Sequence, residues 1–271
     1  MATALVLGRA GHTVFATMRY PYGPSELARI AREEQLPIHV HGMDVDSDAS
    51  VTDAISAITE ANGPLDVLVN NAGIACRGSI EELDLCAFRA VMETNYFGPL
   101  RCIKAVLPQM RARNSGCIIN VSSVAGRIAS SPLASYAASK FALEGLSEAL
   151  AQEAKMFNIR VAIVQPGIID TAMARSIGQR PDASPYPQLR RMAGLFAASL
   201  RTAASPFRVG EKICEIVDSG TWKFRHPIEP DAEPFLAWRA SMTDEQWVDR
   251  SAVSDEEWYA SVERDFGMKL Q

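Results

Sequence analysis

The sequence predicts a doubly wound α/β fold, a parallel sheet covered by helices on both faces, and three observations lead there. Short apolar runs alternate with stretches of helical periodicity, the signature of repeated βα units. The runs are apolar throughout, as strands buried on both faces are. Small, polar or turn-forming residues follow three successive runs. In chain order, Met1 to Gly8 reads as a helix with Gly11 as its stop, and strands are expected over 13–17, 37–41, 66–70, 117–121 and 160–165. A helix over 50–62 places Val51, Ala54, Ile55 and Ile58 on one stripe, with Gly63 ending it. Another over 135–157 carries Leu143, Leu146 and Leu150 on one side. After residue 171 the rhythm breaks into a Pro- and Ala-rich stretch, 177–205, too long for a simple connector and expected to be a lid or a disordered insertion. A last strand is expected over 222–225. The tail from Pro230 holds three of the four tryptophans, and Thr243-Asp-Glu-Gln-Trp247 and Ser254-Asp-Glu-Glu-Trp258 both match the capping-box pattern. Two short helices anchored by tryptophan are expected there. The domain division is 1–229 for the α/β body and 230–271 for a helical extension of the same domain.

Composition narrows the function classes. A chain of 271 residues with 48% hydrophobic content can bury one substantial core. The net charge of −5 and the lack of any helix-length cluster of Lys and Arg argue against nucleic acid and favour small partners. The longest apolar stretches are strand-sized, whereas a membrane helix needs roughly 20 residues. With no charged leader at the N-terminus, a cytoplasmic protein is expected. Cys76, Cys86, Cys102, Cys117 and Cys214 show no CxxC spacing, so reduced core thiols are expected. His39 and His41 share one strand face without a companion ligand, and no metal is expected.

Chemistry concentrates in one constellation. Tyr136-Ala-Ala-Ser-Lys140 sets a phenol and an ammonium one helical turn apart on the same face. For acid/base work near pH 7 a phenol must drop about three units from its ordinary value, roughly 4 kcal/mol of phenolate stabilisation. A neighbouring ammonium supplies part of that. Ser123, in Asn120-Val-Ser-Ser-Val-Ala-Gly126, directly follows a predicted strand, as do Asn70-Asn-Ala-Gly73 and the Pro166-Gly167 turn with Thr171. The C-terminal edge of an open α/β sheet is its ligand-binding edge.

Together these motifs, in type, order and spacing, resemble the short-chain dehydrogenase/reductase family over roughly residues 1 to 228. The resemblance implies a Rossmann-like fold and hydride transfer between a nicotinamide and a substrate carbon, interconverting a secondary alcohol and a ketone or aldehyde. It implies Tyr136 as acid/base, Ser123 holding the carbonyl oxygen, Lys140 lowering the Tyr136 pKa and binding the nicotinamide ribose, and Asn95 connecting Lys140 to a water chain. Ser122 competes with Ser123, and the spacing to Tyr136 decides for the latter. For the cofactor it implies Asp44 and Val45 near the adenine, Asn71, Ala72 and Gly73 along the adenosine side, and Pro166, Gly167, Ile169 and Thr171 near the carboxamide. Met18 stands where NAD-selective relatives carry an acidic residue and Arg19 follows, so NADP is favoured over NAD. By analogy a homodimer or homotetramer is expected. The segment 173–200, with Met192, Leu195 and Phe196, would cover the site and favours a hydrophobic alcohol or ketone.

The sequence departs from the family at its start, which lacks the first strand and its glycine-rich phosphate loop. That strand would lie between the strands ending at Arg19 and Asn70, and its burial is worth about 10 kcal/mol. The expectation is a shortened form of a longer gene product. Two alternatives stand beside the enzyme: a catalytically impaired nucleotide-binding protein keeping Tyr136 and Lys140 as a relic, and an epimerase or dehydratase.

Overall fold

Helix α1 (Ala2–Arg9) leads through Gly11, whose φ of +90° suits a residue without Cβ, into β1 (Val14–Met18). Next come α2 (Glu26–Glu33), β2 (Ile38–Gly42), α3 (Asp48–Asn62) and β3 (Val67–Asn70). Helix α4 (Leu85–Met92) passes through a π-helical turn (Glu93–Phe97) into α5 (Gly98–Arg113) and β4 (Gly116–Val121). A 3₁₀ turn (Val124–Gly126), α6 (Ala134–Lys155) and β5 (Ile159–Pro166) follow. The last elements are α7 (Ala172–Ile177), α8 (Gln188–Ser199), α9 (Pro206–Ser219), β6 (Arg225–Ile228), α10 (Ala232–Ala240), α11 (Asp244–Asp249) and α12 (Asp255–Phe266). This computed structural model describes residues 1–20, 25–179, 183–228 and 230–270; residues 180–182 of the expected lid and Glu229 at the domain boundary lie outside them.

Side-chain caps set several starts. Ser47 accepts from the Ser50 amide, Thr171 from Ala174, and Thr243 forms the expected capping box with Gln246. Two expectations are corrected. The stretch 177–205 contains a full helix, α8, because Leu189, Met192 and Phe196 recur at helical spacing. The last strand is β6 at Arg225–Ile228 instead of 222–225: Lys155 Nζ sits 3.2 Å over the Trp222 ring and holds that residue outside the ladder. Of the cysteines only Cys102 and Cys117 are buried core thiols; Cys86 is exposed.

β3, β4, β5 and β6 form one parallel sheet in that spatial order, and β1 pairs with β2 as a separate parallel sheet. Between β1 and β3, where the absent strand was expected, no ladder runs. The alternation of β4 shows that helices cover both faces. Ile118 packs with Val51, Ile55, Val106 and Leu150 from α3, α5 and α6, whereas Cys117 and Ile119 pack with Leu7, Val209, Ile213 and Ile216 from α1 and α9. Helices α1 and α9 approach closely because Gly210 has no side chain: a Cβ there would stand 3.1 Å from Thr3 Cα. Val14 of β1 packs against both the second cluster and a third formed by α1, α2 and β2. No helix among the described residues is long and apolar enough to cross a membrane.

Candidate active site

The C-terminal ends of β3, β4 and β5 open on one cavity of about 880 Å³. Asn71 and Gly73 after β3, Ser123 after β4, Tyr136 and Lys140 on α6, and Pro166, Gly167, Ile169 and Thr171 after β5 all line it. Ser122 lines it too. Lys140 Nζ lies 5.6 Å from the centre of the Tyr136 ring, as the one-turn spacing requires. Ser123 Oγ donates to the Pro166 carbonyl at 3.3 Å and accepts from the Ala125 amide at 3.1 Å, so it ties the end of β4 to the end of β5.

Burial governs both titratable groups. Lys140, 4% exposed, donates to the Val121 carbonyl at 2.8 Å. Loss of water lowers its pKa to about 8, with the Glu144 carboxylate pulling the other way. Tyr136 moves upward, because burial disfavours the phenolate; the neighbour that draws it down is the Ser123 hydroxyl. The protein alone therefore keeps the phenol protonated at neutral pH, and the lowering that the resemblance assigns to Lys140 is not what these surroundings supply.

Other expected residues stand apart from the cavity wall. Asn95 sits in the π-helical turn, a distortion common at functional sites. Both its N–H groups are taken, by the Ile74 carbonyl and Ser139 Oγ at 2.9 Å each, and its Oδ1 accepts from the Ile74 amide at 2.8 Å. It staples the loop after β3. Gly73 lies between the two: a Cβ there would be 3.4 Å from Asn95 Oδ1 and 3.8 Å from Lys140 Nζ. Asp44 Oδ1 accepts from the Asp46 amide within its own turn, and Val45 packs beside Gly98. Ala72 and Arg19 are exposed, Arg19 at the end of β1. None of these five lines the cavity.

Three features escaped sequence reasoning. Asn70 Nδ2 donates to Asn120 Oδ1 and Asn120 Nδ2 to Ser147 Oγ, each at 2.8 Å, a buried chain fixing β3, β4 and α6 together. Its only sequence signal was an Asn at the end of each apolar run. Asp231 Oδ2 accepts from the Ile168 amide at 2.7 Å, seating the start of α10 on the Pro166-Gly167 turn. Burial raises its pKa, against the pull of that amide bond, and its Oδ1 is buried without a partner. Third, the tail tryptophans do more than anchor helices: Trp238, Trp247 and Trp258 line the cavity, with Phe235 and Phe266.

Residues 1–182 match the family described as short chain dehydrogenase. The chain belongs to the short-chain dehydrogenase/reductase family. A 3-ketodihydrosphingosine reductase from Bacteroides thetaiotaomicron is 37% identical to it, over 87% of this chain and 85% of that one. Among solved structures, a short-chain dehydrogenase from Streptomyces avermitilis superposes with a TM-score of 0.76 at 30% identity, covering 93% of each chain. A gluconate 5-dehydrogenase from Burkholderia cenocepacia in complex with NADP and tartrate gives 0.62 at 28% identity, over 75% of this chain and 86% of that one. This short-chain dehydrogenase/reductase is an enzyme, an oxidoreductase that works with a nicotinamide dinucleotide. Its residues fit the nicotinamide end of that cofactor: Ser123, Lys140 and the turn from Gly167 to Thr171 border the same cavity as Tyr136. Ribose recognition would fall to Lys140 and carboxamide recognition to the turn from Pro166 to Thr171.

Proposed function

We propose that this enzyme interconverts a hydrophobic secondary alcohol and the matching ketone or aldehyde, with Tyr136 as acid/base and NADP as the favoured cofactor. The supporting observation is the convergence of Tyr136, Ser123 and Lys140 on one largely apolar cavity. The bound nicotinamide supplies the hydride for reduction and accepts it in oxidation. Tyr136 Oη gives its proton to the carbonyl oxygen in reduction and takes it back in oxidation, while the Ser123 hydroxyl turns its hydrogen bond from the Pro166 carbonyl to that oxygen. Lys140, whose Nζ lies 5.6 Å from the centre of that phenol ring, holds the ribose. Asn95 acts at one remove, by holding the loop that bears Gly73.

Substrate polarity follows from the wall. Met173, Ile177, Met192, Leu195 and Phe196 present an apolar side of segment 173–200 to the cavity. The similarity to a 3-ketodihydrosphingosine reductase supports a long-chain ketone. NADP is favoured because Met18 brings no carboxylate to the end of β1 while the exposed Arg19 follows it, and because the Burkholderia relative binds NADP. Pairing through α5 and α6 into a homodimer or homotetramer, in the cytoplasm, completes the reading; Phe97 and Phe141 are exposed just before α5 and on α6.

The test is oxidation of NADPH with a long-chain ketone. Tyr136→Phe is expected to lower kcat by about 10²- to 10⁴-fold with cofactor affinity kept; undiminished turnover would overturn the assignment. The pH profile adds a second check. With the phenol raised by burial, kcat/KM for reduction is expected to stay level through neutral pH and fall only where the phenol ionises, and kcat/KM for oxidation to climb with pH.

A further inference from the structure

The tail helices supply an unbroken aromatic surface to the cavity. Trp247 meets Trp238 edge-on at 5.3 Å between ring centres, Trp238 meets Phe266 at 4.9 Å, and Phe266 meets Phe235 at 5.0 Å. Trp247 Nε1 donates to the Ala129 carbonyl at 3.0 Å, pinning this surface to the loop that follows Ser123 and the 3₁₀ turn.

Two arginines reach the same wall, and each pairs with an aspartate that an exposed arginine shares: Asp255 Oδ2 also accepts from Arg190 Nε at 2.8 Å, and Asp265 Oδ1 from Arg264 Nε at 3.2 Å. Arg191 of α8, 3% exposed, donates from Nε to Asp255 Oδ1 at 2.8 Å and from its terminal nitrogens to the Ser251 and Val253 carbonyls. Arg250, after α11, pairs with Asp265 Oδ2 at 2.7 Å and lies 4.8 Å over the Trp238 ring. Both guanidinium groups that line the cavity already hold a carboxylate. A substrate carboxylate entering here would lose its water and meet aromatic edges and guanidinium groups already paired with carboxylates, a costly exchange.

We infer that this wall selects uncharged, elongated apolar carbonyl compounds against their carboxylate-bearing counterparts, and that Asp255 is the specificity-determining residue, because it is the carboxylate paired with the buried Arg191 on the cavity wall. The inference rests on the proposed alcohol and ketone chemistry for turnover, but binding tests it separately. Specificity of this kind comes from what the site penalises as much as from what it attracts.

The probes are 2-undecanone and 10-oxoundecanoate, equal in length and differing in one terminal carboxylate. Three of the four tryptophans line the cavity, so quenching of their fluorescence reports occupancy without catalysis. The wild-type protein is expected to bind the ketone at least about tenfold more tightly than the keto acid. Asp255→Asn, which keeps size and removes charge, is expected to narrow that ratio about tenfold through tighter keto acid binding, and Asp255→Asn with Arg191→Met to restore it. Equal or preferred binding of 10-oxoundecanoate by the wild type overturns the inference, with no variant needed. So does an unchanged ratio in Asp255→Asn with an intact thermal transition. Selective ketone binding without NADPH-dependent turnover would uphold the wall's selectivity and remove the hydride-transfer reading; turnover preferring the keto acid would do the reverse.

Discussion

β3 and β4 lie side by side in one sheet and carry near-identical runs, Val67-Leu-Val-Asn70 and Cys117-Ile-Ile-Asn120, yet β4 is sealed and β3 is half open. Ile118 and Ile119 are 0% exposed, as are Ile163 and Val164 of β5, whereas Val67, Leu68 and Val69 all keep some exposure. Composition does not separate the two strands. What separates them is a neighbour: β4 has strands on both sides, and β3, like β1, ends its sheet. The proposed chemistry stands on the sealed side, since Ser123, Tyr136, Lys140 and the Pro166 turn are carried by β4, α6 and β5. The residues assigned to the adenosine, from Arg19 to Gly73, hang from the half-open strands. On the proposed assignment, a more deeply buried catalytic half adjoins a less buried nucleotide half.

The largest expected effect separates the two halves directly. Ile163→Ala should cost about 2–5 kcal/mol by urea unfolding and Leu68→Ala clearly less, because the second site already faces solvent; equal losses would erase the distinction. Next is Lys140, buried in the sealed half. Its folded pKa near 8 lies below the ordinary lysine value, so above pH 8 the unfolded chain holds a proton that the folded chain has shed. Stability should therefore rise with pH from about 8 towards 10, by up to about 3 kcal/mol from this group. Comparing unfolding midpoints of wild type and Lys140→Met across that window checks it, the variant lacking this rise. The smallest effect tests the open half: Arg19→Ala should raise the KM for NADPH by about tenfold, worth roughly 1.4 kcal/mol, and leave that for NADH nearly unchanged. An equal change for both cofactors would place Arg19 away from the ribose phosphate.

Much of this was legible in advance, for identifiable reasons. Strands β1 to β5 announce themselves as apolar runs bounded by turn residues, and their observed ends fall within a residue or two of expectation. The Tyr136 and Lys140 pair is legible because a four-residue spacing fixes a shared helix face whatever surrounds it. Tertiary effects were not. β6 moved because Lys155, distant in sequence, captures Trp222, and because Pro227, lacking an N–H, is tolerable in an edge strand. Helix α8 was masked by prolines and alanines that read locally as connector. The rise of the Tyr136 pKa depends on how much water the surroundings remove, which no spacing encodes.

Gly167 and Asp231 illustrate how two distant positions become one unit of inheritance. A Cβ on residue 167 would come within 2.2 Å of Asp231 Oδ1, and the same carboxylate grips the next amide along. Any enlargement of the turn must push away the aspartate that seats α10, and the tryptophan-bearing tail with it. Shortening the carboxylate would release the turn in its place. Sequence drift at 167 and 231 is therefore expected to be coupled, a larger residue at 167 being tolerated only beside a change at 231.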